Sequence, residues 1–458
     1  MSAEDIFAIP VADRVLIYAP LHAVSALVNR AAYEEFRTSF APGGRNAACV
    51  VPILSAIYGT VPFRPEKRTG PLKEPLFLGI LPTRGCGMGC RYCDFPGGNH
   101  QVMPLSVAKN AVDAYLMLLS DHSIDHGAIH FFGGEPFDAP DVVQFTVEYA
   151  RLAANSKKID LHFEAVTNGL YPKSTAAWIS QNIDSVVLSF DGLPAAQNTL
   201  RPYRNGTPSF DTVFANAVIF SRGGCDLVIR SCISQTNIET LADWAGFILE
   251  NLDPSAVCLE PMIETPVSRA NNLSAAGIRD FVRGFVSAAD LLSQNAVPAV
   301  YSTAETRLLK TAACPLGQDA LIVTPEGNVN ACYQVERQWV ALGLDFRLGR
   351  VTEDGFGIPA GRVEEMRKHH VDEKPLCSNC FCRYHCAGGC PLVHPTGSPA
   401  GQYDEYCMQT RMITAASLLT ELGQVELRDR WLTDDSSFAG IIASPTDRVN
   451  PGFNGSAG

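Results

Sequence analysis

The chain has 458 residues, 46% of them hydrophobic, and a formal net charge of −12. That length suits two or three domains with a large core, and the acidic balance excludes a general nucleic-acid binder, which carries a basic footprint. No apolar run approaches membrane-spanning length, and the opening Met-Ser-Ala-Glu-Asp places acids where a secretory signal places bases, so the expected compartment is the cytoplasm.

Residues 1–72 read as a small N-terminal α+β module with a linker. Runs 6–9 and 15–18 are expected strands, 23–38 has the pattern of an amphipathic helix, and Pro and Gly punctuate the stretch to Pro71. From 73 to 298 the pattern changes. Strand-like runs at 76–81, 128–132, 161–166, 185–190, 227–233 and 257–261 alternate with helical stretches near 105–120, 140–153, 174–182, 210–222, 239–250 and 275–293. Short apolar strands alternating with helices predict a parallel sheet of βαβ units. Six units predict an α/β fold, a partial (β/α)6 TIM-like barrel, with its chemistry at the C-terminal strand ends. From 299 to 433 the periodicity breaks and Cys, Gly and turns dominate, so metal clusters are the expected constraint; 408–422 reads as a covering helix. Residues 434–458 are rich in Ser, Gly, Asn and Pro and are expected to be disordered.

Of the 15 cysteines, most fall in two groups at metal-ligand spacing, which favours iron–sulfur or zinc in a reducing compartment over a disulfide framework. Cys49, Cys225, Cys232 and Cys258 stand apart and read as buried small hydrophobes. The first group is Cys86, Cys90 and Cys93, in Thr-Arg-Gly-Cys-Gly-Met-Gly-Cys-Arg-Tyr-Cys, directly after the first barrel strand. Three thiolates leave one iron of a four-iron cluster open, whereas structural zinc wants four closed ligands. Glycines between the cysteines suit a tight loop wrapped around a cluster. Phe132-Gly133-Gly134-Glu135-Pro136, Thr167-Asn168-Gly169 and Ser189-Phe190-Asp191-Gly192 stand at the next three strand ends, with Arg230 inside the fifth strand. The second group is Cys314, Cys332, Cys377, Cys380, Cys386, Cys390 and Cys407; its Cys-x2-Cys pair also suits zinc. His122 and His126 have helical spacing but lack a third ligand, and there is no P-loop lysine motif.

The Cys-x3-Cys-x2-Cys loop and the Gly-Gly-Glu-Pro turn on one barrel face resemble the radical S-adenosylmethionine (SAM) superfamily. The second cysteine group resembles its SPASM extension, an irregular Cys-rich C-terminal domain. The resemblance implies that Cys86, Cys90 and Cys93 bind a [4Fe-4S] cluster whose open iron is chelated by SAM. Reduction then splits the sulfonium and releases a 5′-deoxyadenosyl radical. It further implies that Gly133, Gly134 and Glu135 hold the SAM ammonium and that Tyr92 flanks the adenine. Asn168, Ser189 and Asp191 would contact SAM or substrate, and Arg230 would pair with the SAM carboxylate. Arg201 and Arg204 either face the substrate or form a solvated basic loop. Two auxiliary iron–sulfur clusters are implied: Cys377, Cys380, Cys386 and Cys407 close one, while Cys314, Cys332 and Cys390 hold the other. That second set is one ligand short. Where some relatives place an extra cysteine, this chain has Asp319 and Ala320, which implies an open iron, a non-cysteine ligand or a two-iron form. Cys382 is surplus and either fills the gap, acts as a redox or acid/base thiol, or is simply buried.

Relatives with this extension mostly modify peptides or proteins. The implied partners are therefore a peptide or protein substrate with a leader peptide, and an electron donor such as a flavodoxin or ferredoxin. Residues 7–32 are similar to the start of the leader-binding domain of such maturases, which captures a peptide by adding a strand to a sheet edge; a barrel-capping module is the alternative. A formylglycine-generating dehydrogenase like the anaerobic sulfatase maturases is the alternative; those enzymes place an aspartate after the cysteine matching Cys332, where Tyr333 stands here, so the base would come from elsewhere. A non-catalytic iron–sulfur carrier or a zinc scaffold is the reading from another class. No acid–base residue is assigned.

Overall fold

The computed structural model describes residues 5–39, 50–95, 100–393, 403–434 and 448–449. Cys49, and most of the tail expected to be disordered, lie outside the described residues. The chain divides into two units, one built from Met1–Lys67, Ser302–Ala313 and His370–Gly458, the other from Arg68–Tyr301 and Cys314–His369. Among the described residues no helix is long and apolar enough to cross a membrane.

The first unit contains an antiparallel sheet of β1 (Phe7–Val11), β2 (Arg14–Ala19) and β3 (Val24–Asn29), followed by α1 (Arg30–Ser39) and α2 (Val51–Tyr58). Residues 23–38 were expected to be one helix. Instead Ala23 turns the chain at φ +52, residues 24–29 pair with β2 from Ala19↔Val24 to Arg14↔Asn29, and the helix begins only at Arg30. Pairing with a preformed hairpin overrides local helix propensity, which is a weak prior against six residues of ladder. Phe36, Leu54 and Ile57 close the core over Ile17, and Val449 joins them. The same unit holds the long helix Glu405–Glu421, which covers the expected 408–422. It is capped by Asp404, whose carboxylate accepts from Cys407 N at 2.8 Å.

In the second unit the parallel strands are β4 (Leu78–Ile80), β5 (His126–Phe131), β6 (Asp160–Thr167), β7 (Ser185–Ser189), β8 (Asp226–Ile233), β9 (Ala256–Pro261) and β10 (Ala299–Val300). Between them run α3 (Leu105–Asp121), α4 (Pro140–Lys157), α5 (Lys173–Asn182), α6 (Pro194–Leu200), α7 (Phe210–Ser221), α8 (Leu241–Asn251), α9 (Pro266–Ala270) and α10 (Ile278–Ser293). The six expected strands and the six expected helices are all present. The sheet also extends beyond β4 through β11 (Leu321–Val323), β12 (Asn328–Asn330), β13 (Arg347–Thr352) and β14 (Gly355–Gly357), with β11 parallel to β4 and the last three antiparallel. Along β6 to β9 buried and half-buried residues alternate. The buried set packs under the helices and the half-buried set lines the inner face, as a period of two requires.

Asp319, one of the two residues standing in for a cysteine, is not free to bind metal. Its carboxylate, 3% exposed, takes both prongs of the Arg367 guanidinium, Nε at 2.8 Å and Nη2 at 2.5 Å. Breaking such a buried pair from one side strands a charge and costs roughly 3–5 kcal/mol. Asp319→Ala is expected to lower unfolding stability by that order in a denaturant titration, and Asp319→Ala with Arg367→Met is expected to lose less than Asp319→Ala alone.

Candidate active site

The loop after β4 is folded by backbone contacts that only glycine permits. A Cβ on Gly134 would stand 2.0 Å from the Gly85 carbonyl oxygen, and one on Gly133 (φ +151) would stand 2.5 Å from the Thr83 oxygen. Gly134 N donates to Thr83 O at 3.1 Å and Glu135 N to Gly85 O at 2.8 Å. The turn after β5 therefore lies directly against the cysteine loop. The loop's other side is tied to the segment after α6, by Gly89 N to Pro202 O (2.8 Å) and Arg91 N to Leu200 O (2.9 Å). Asp138 accepts from Gly87 N at 2.7 Å.

The three thiols of this loop act on one another electrostatically. Burial pushes Cys86 and Cys90 up to about 12 and raises Cys93, and each thiol is raised further by one of the other two. Asn168 Nδ2 donates to Cys86 Sγ at 3.4 Å. The Arg201 guanidinium opposes the shift at Cys90. Arg201 is 8% exposed, and its Nε has no partner. Three thiols on one loop, an amide aimed at one of them and a buried cation with an unused donor suit an anionic iron–sulfur cluster. Metal binding would displace the thiol protons that burial favours.

Glu135 is built differently from the expectation that its carboxylate meets the SAM ammonium. It is 1% exposed and accepts from Phe137 N (3.1 Å), Thr167 Oγ1 (2.8 Å) and Asn168 N (2.7 Å). It clamps the end of β5 to the end of β6 and thereby aims Asn168. Burial pushes Glu135 up to about 7 against these donors. A carboxyl raised on folding stabilises the fold at low pH, and that contribution is lost as pH rises through about 7. Between pH 4.5 and 8 the stability gap between the iron-free parent and Glu135→Gln is therefore expected to move toward the variant, by up to about 3 kcal/mol, in paired urea titrations.

A second polar group centres on Asp191, 1% exposed. Tyr92 Oη donates to its Oδ2 at 2.5 Å and Cys232 N to its Oδ1 at 3.0 Å, and Arg201 Nη1 donates to Tyr92 Oη at 2.6 Å. Arg201 Nη1 also lies 3.7 Å from Asp191. Arg201 is thus no part of a solvated loop, whereas Arg204 is exposed. Cys232 was read as a plain buried hydrophobe. Burial does raise its thiol strongly, but Asp191, Arg201, Arg230 and Cys90 all act on it electrostatically. Strand alternation carried that signal, since Cys232 shares the parity of Arg230. Ser189 and Arg230 are register partners on β7 and β8, and Arg230 is exposed.

In the first unit Cys377, Cys380, Cys386 and Cys407 come together. Burial raises Cys386 to about 12, with Cys377 and Cys380 adding to the shift, while Cys407 is raised by burial, Asp404, Cys386 and Cys380. Arg411 Nη1 donates to Cys380 Sγ at 3.4 Å. Cys382 is 1% exposed and sits beside Cys380, Arg411 and Thr414. Cys390 belongs to this unit and Cys314 and Cys332 to the other. Among the described residues no three His, Cys, Asp or Glu side chains converge on a single-ion site.

Residues 80–248 match the model of the Radical SAM superfamily. An uncharacterized protein of Methanocaldococcus jannaschii is 28% identical over 168 residues, which is 36% of this chain and 56% of that protein; the chain thus spans little more than half of this curated relative. Among solved structures, native anSMEcpe with bound AdoMet and Cp18Cys peptide is similar with a TM-score of 0.61 at 21% identity, over 78% of this chain and 99% of that one. SuiB of Streptococcus suis is similar both with S-adenosylmethionine bound (TM-score 0.51, 16% identity, 85% and 95% covered) and with its precursor peptide SuiA bound (0.52, 15%, 87% and 98%). At these identities the likeness is one of fold.

Proposed function

We propose, from the match of residues 80–248 to the Radical SAM superfamily, that this chain is a peptide-modifying enzyme of the SPASM type. It cleaves SAM reductively and takes a hydrogen atom from a carbon of a peptide or protein substrate. The observation that carries this reading is the three-thiol loop packed against the Gly133–Gly134 turn at the C-terminal ends of parallel strands. Cys86, Cys90 and Cys93 would hold a four-iron cluster, which when bound supplies the electron that splits SAM into methionine and a 5′-deoxyadenosyl radical.

The protein's own groups bind and orient. Asn168 donates to the sulfur of Cys86, and Arg201 balances negative charge at Cys90. Asp191 and Arg201 fix the Tyr92 ring at the loop's end, where it would flank the adenine of a bound SAM. Gly133 and Gly134 would hold the SAM ammonium, with Glu135 as the clamp behind the turn. Arg230 and Ser189 meet polar groups from the inner face. Cys377, Cys380, Cys386 and Cys407 would hold one auxiliary cluster. A flavodoxin or ferredoxin is the matching class of electron donor.

Two features support a peptide substrate. The anSMEcpe and SuiB folds were both solved with peptides bound. In the N-terminal sheet, β1 carries a bridge to Arg448 on its outer side, while β3 is paired on one side only among the described residues. That leaves a sheet edge for a leader strand.

Anaerobic reconstitution is expected to bring in about ten to twelve irons, and reduction to yield 5′-deoxyadenosine from SAM. Co-expression with short peptides encoded beside the gene is expected to give one peptide an altered mass. Iron without SAM cleavage would favour the electron carrier.

A further inference from the structure

The inner face of the barrel carries ionisable groups that binding of the cluster and SAM leaves unassigned. Arg151 of α4 lies over the Phe163 ring, 5.2 Å from its centroid, which places Phe163 on the helix side of β6. Its neighbours His162 and Glu164 therefore point inward. Glu164 is the register partner of His130 on β5, and His130 Nδ1 stands 3.4 Å from Glu164 Oε1. The two are 20% and 28% exposed, in an otherwise aromatic surrounding. Phe77 stacks on the His130 ring, with centroids 4.1 Å apart and planes at 13°. Tyr333 stacks on Phe77 at 5.8 Å and leans on Phe132 at 4.6 Å.

The backbone makes room for this group. A Cβ on Gly79 of β4 would stand 3.1 Å from both Oη and Cε1 of Tyr333. The residue after Cys332 therefore puts its hydroxyl inside the barrel, where burial and the nearby Glu164 carboxylate raise its titration. The other ionisable group on Glu164 is His162 of its own strand. His162 in turn pairs with Ser185 of β7 at 3.0 Å. Burial raises Glu164 above the usual carboxylate range and holds His130 down at about 4. At neutral pH the imidazole is uncharged, and Nδ1 can face the Glu164 carboxylate as a donor only in the Nδ1–H tautomer.

We propose that Glu164, oriented by neutral His130, accepts the proton lost from an O–H, N–H or S–H group of the substrate inserted into the barrel. One X–H bond breaks and one carboxyl O–H bond forms. No electron moves in this step, and His130 acts as a positioning residue. This inference rests on the radical SAM reading for its substrate, but its titration does not. A general base works best when its own pKa sits near the operating pH, and its removal typically costs 100-fold or more. Burial moves Glu164 in that direction here.

Two measurements on the full-length reconstituted protein test it. Infrared difference titration of parent against Glu164→Gln should show one carboxyl that protonates above the ordinary glutamate range and vanishes in the variant. His130→Asn should move that titration. A Glu164 that titrates in the ordinary range overturns the proposal, whether or not SAM is cleaved. With the peptide modified in co-expression, Glu164→Gln should keep 5′-deoxyadenosine formation within about twofold while modified peptide falls at least about 100-fold. Glu164→Asp should recover part of the loss with a displaced acid limb in its pH profile. Undiminished peptide modification, or a parallel loss of 5′-deoxyadenosine, counts against Glu164 alone. A parent that cleaves no SAM counts against the radical reading.

Discussion

A chain carrying Cys90→Ala, reconstituted anaerobically, is expected to bind about four fewer irons than the parent and to form no 5′-deoxyadenosine above background. Cys90 faces Cys93, Arg201 and Asp191 in the middle of the loop. With two thiolates left, a four-iron cluster has two open irons rather than one, and neither the chelation of SAM nor the reach of the Gly-Gly turn is preserved. The loss also leaves the buried Arg201, whose Nε already lacks a partner, facing a methyl group. The side chain removed is small, so circular dichroism and unfolding should stay near the parent. The auxiliary irons should remain, because their ligands come from the second cysteine group. Iron counting and chromatography of the SAM products decide the matter, and undiminished 5′-deoxyadenosine would remove the assignment.

Gly134→Ala is expected to do nearly as much damage without touching a ligand. The added Cβ meets Gly85 O at 2.0 Å, Gly85 C at 2.6 Å and Arg84 O at 2.7 Å. All three atoms are backbone, so no rotamer change relieves the clash. The loop that carries Cys86 must retreat by about 1 Å, enough to break the Glu135 N to Gly85 O bond and to misplace a thiolate. Expected results are loss of the SAM-cluster iron and loss of SAM cleavage, with the auxiliary iron retained. Gly206→Ala is the control: its φ is also positive (+85) but nothing lies within 4 Å of the added carbon, so only a modest backbone cost of about 1 kcal/mol is expected. Normal cluster content in Gly134→Ala would mean that the turn and the loop are not packed as described.

Much of the site was legible in the chain itself, because its parts sit at strand ends and strand ends are marked by periodicity. Cys86, Cys90 and Cys93 after β4, Gly133 and Gly134 after β5, Asn168 after β6 and Asp191 after β7 occupy successive positions on one rim. The readings that changed are those where burial or a distant partner decides. Glu135, expected beside the SAM ammonium, is buried and accepts from three protein donors. Arg201, read as either facing the substrate or part of a solvated loop, is buried beside Asp191 and Tyr92. Residues 24–29 looked helical until a hairpin was there to pair with them.

What the residues determined unaided was local: a three-thiolate spacing, glycines where two backbones must touch, and apolar runs whose periods separate strand from helix. Those properties are set within a dozen residues and need no knowledge of the rest. Only the tertiary structure decided which polar groups left water. Asp319 is silenced by Arg367, Tyr333 reaches Gly79 across more than half of the chain, and Glu164 meets His130 on the neighbouring strand. Such pairings depend on desolvation by segments far away in the sequence, and it is desolvation that turns an ordinary carboxylate or imidazole into a group with chemistry at neutral pH.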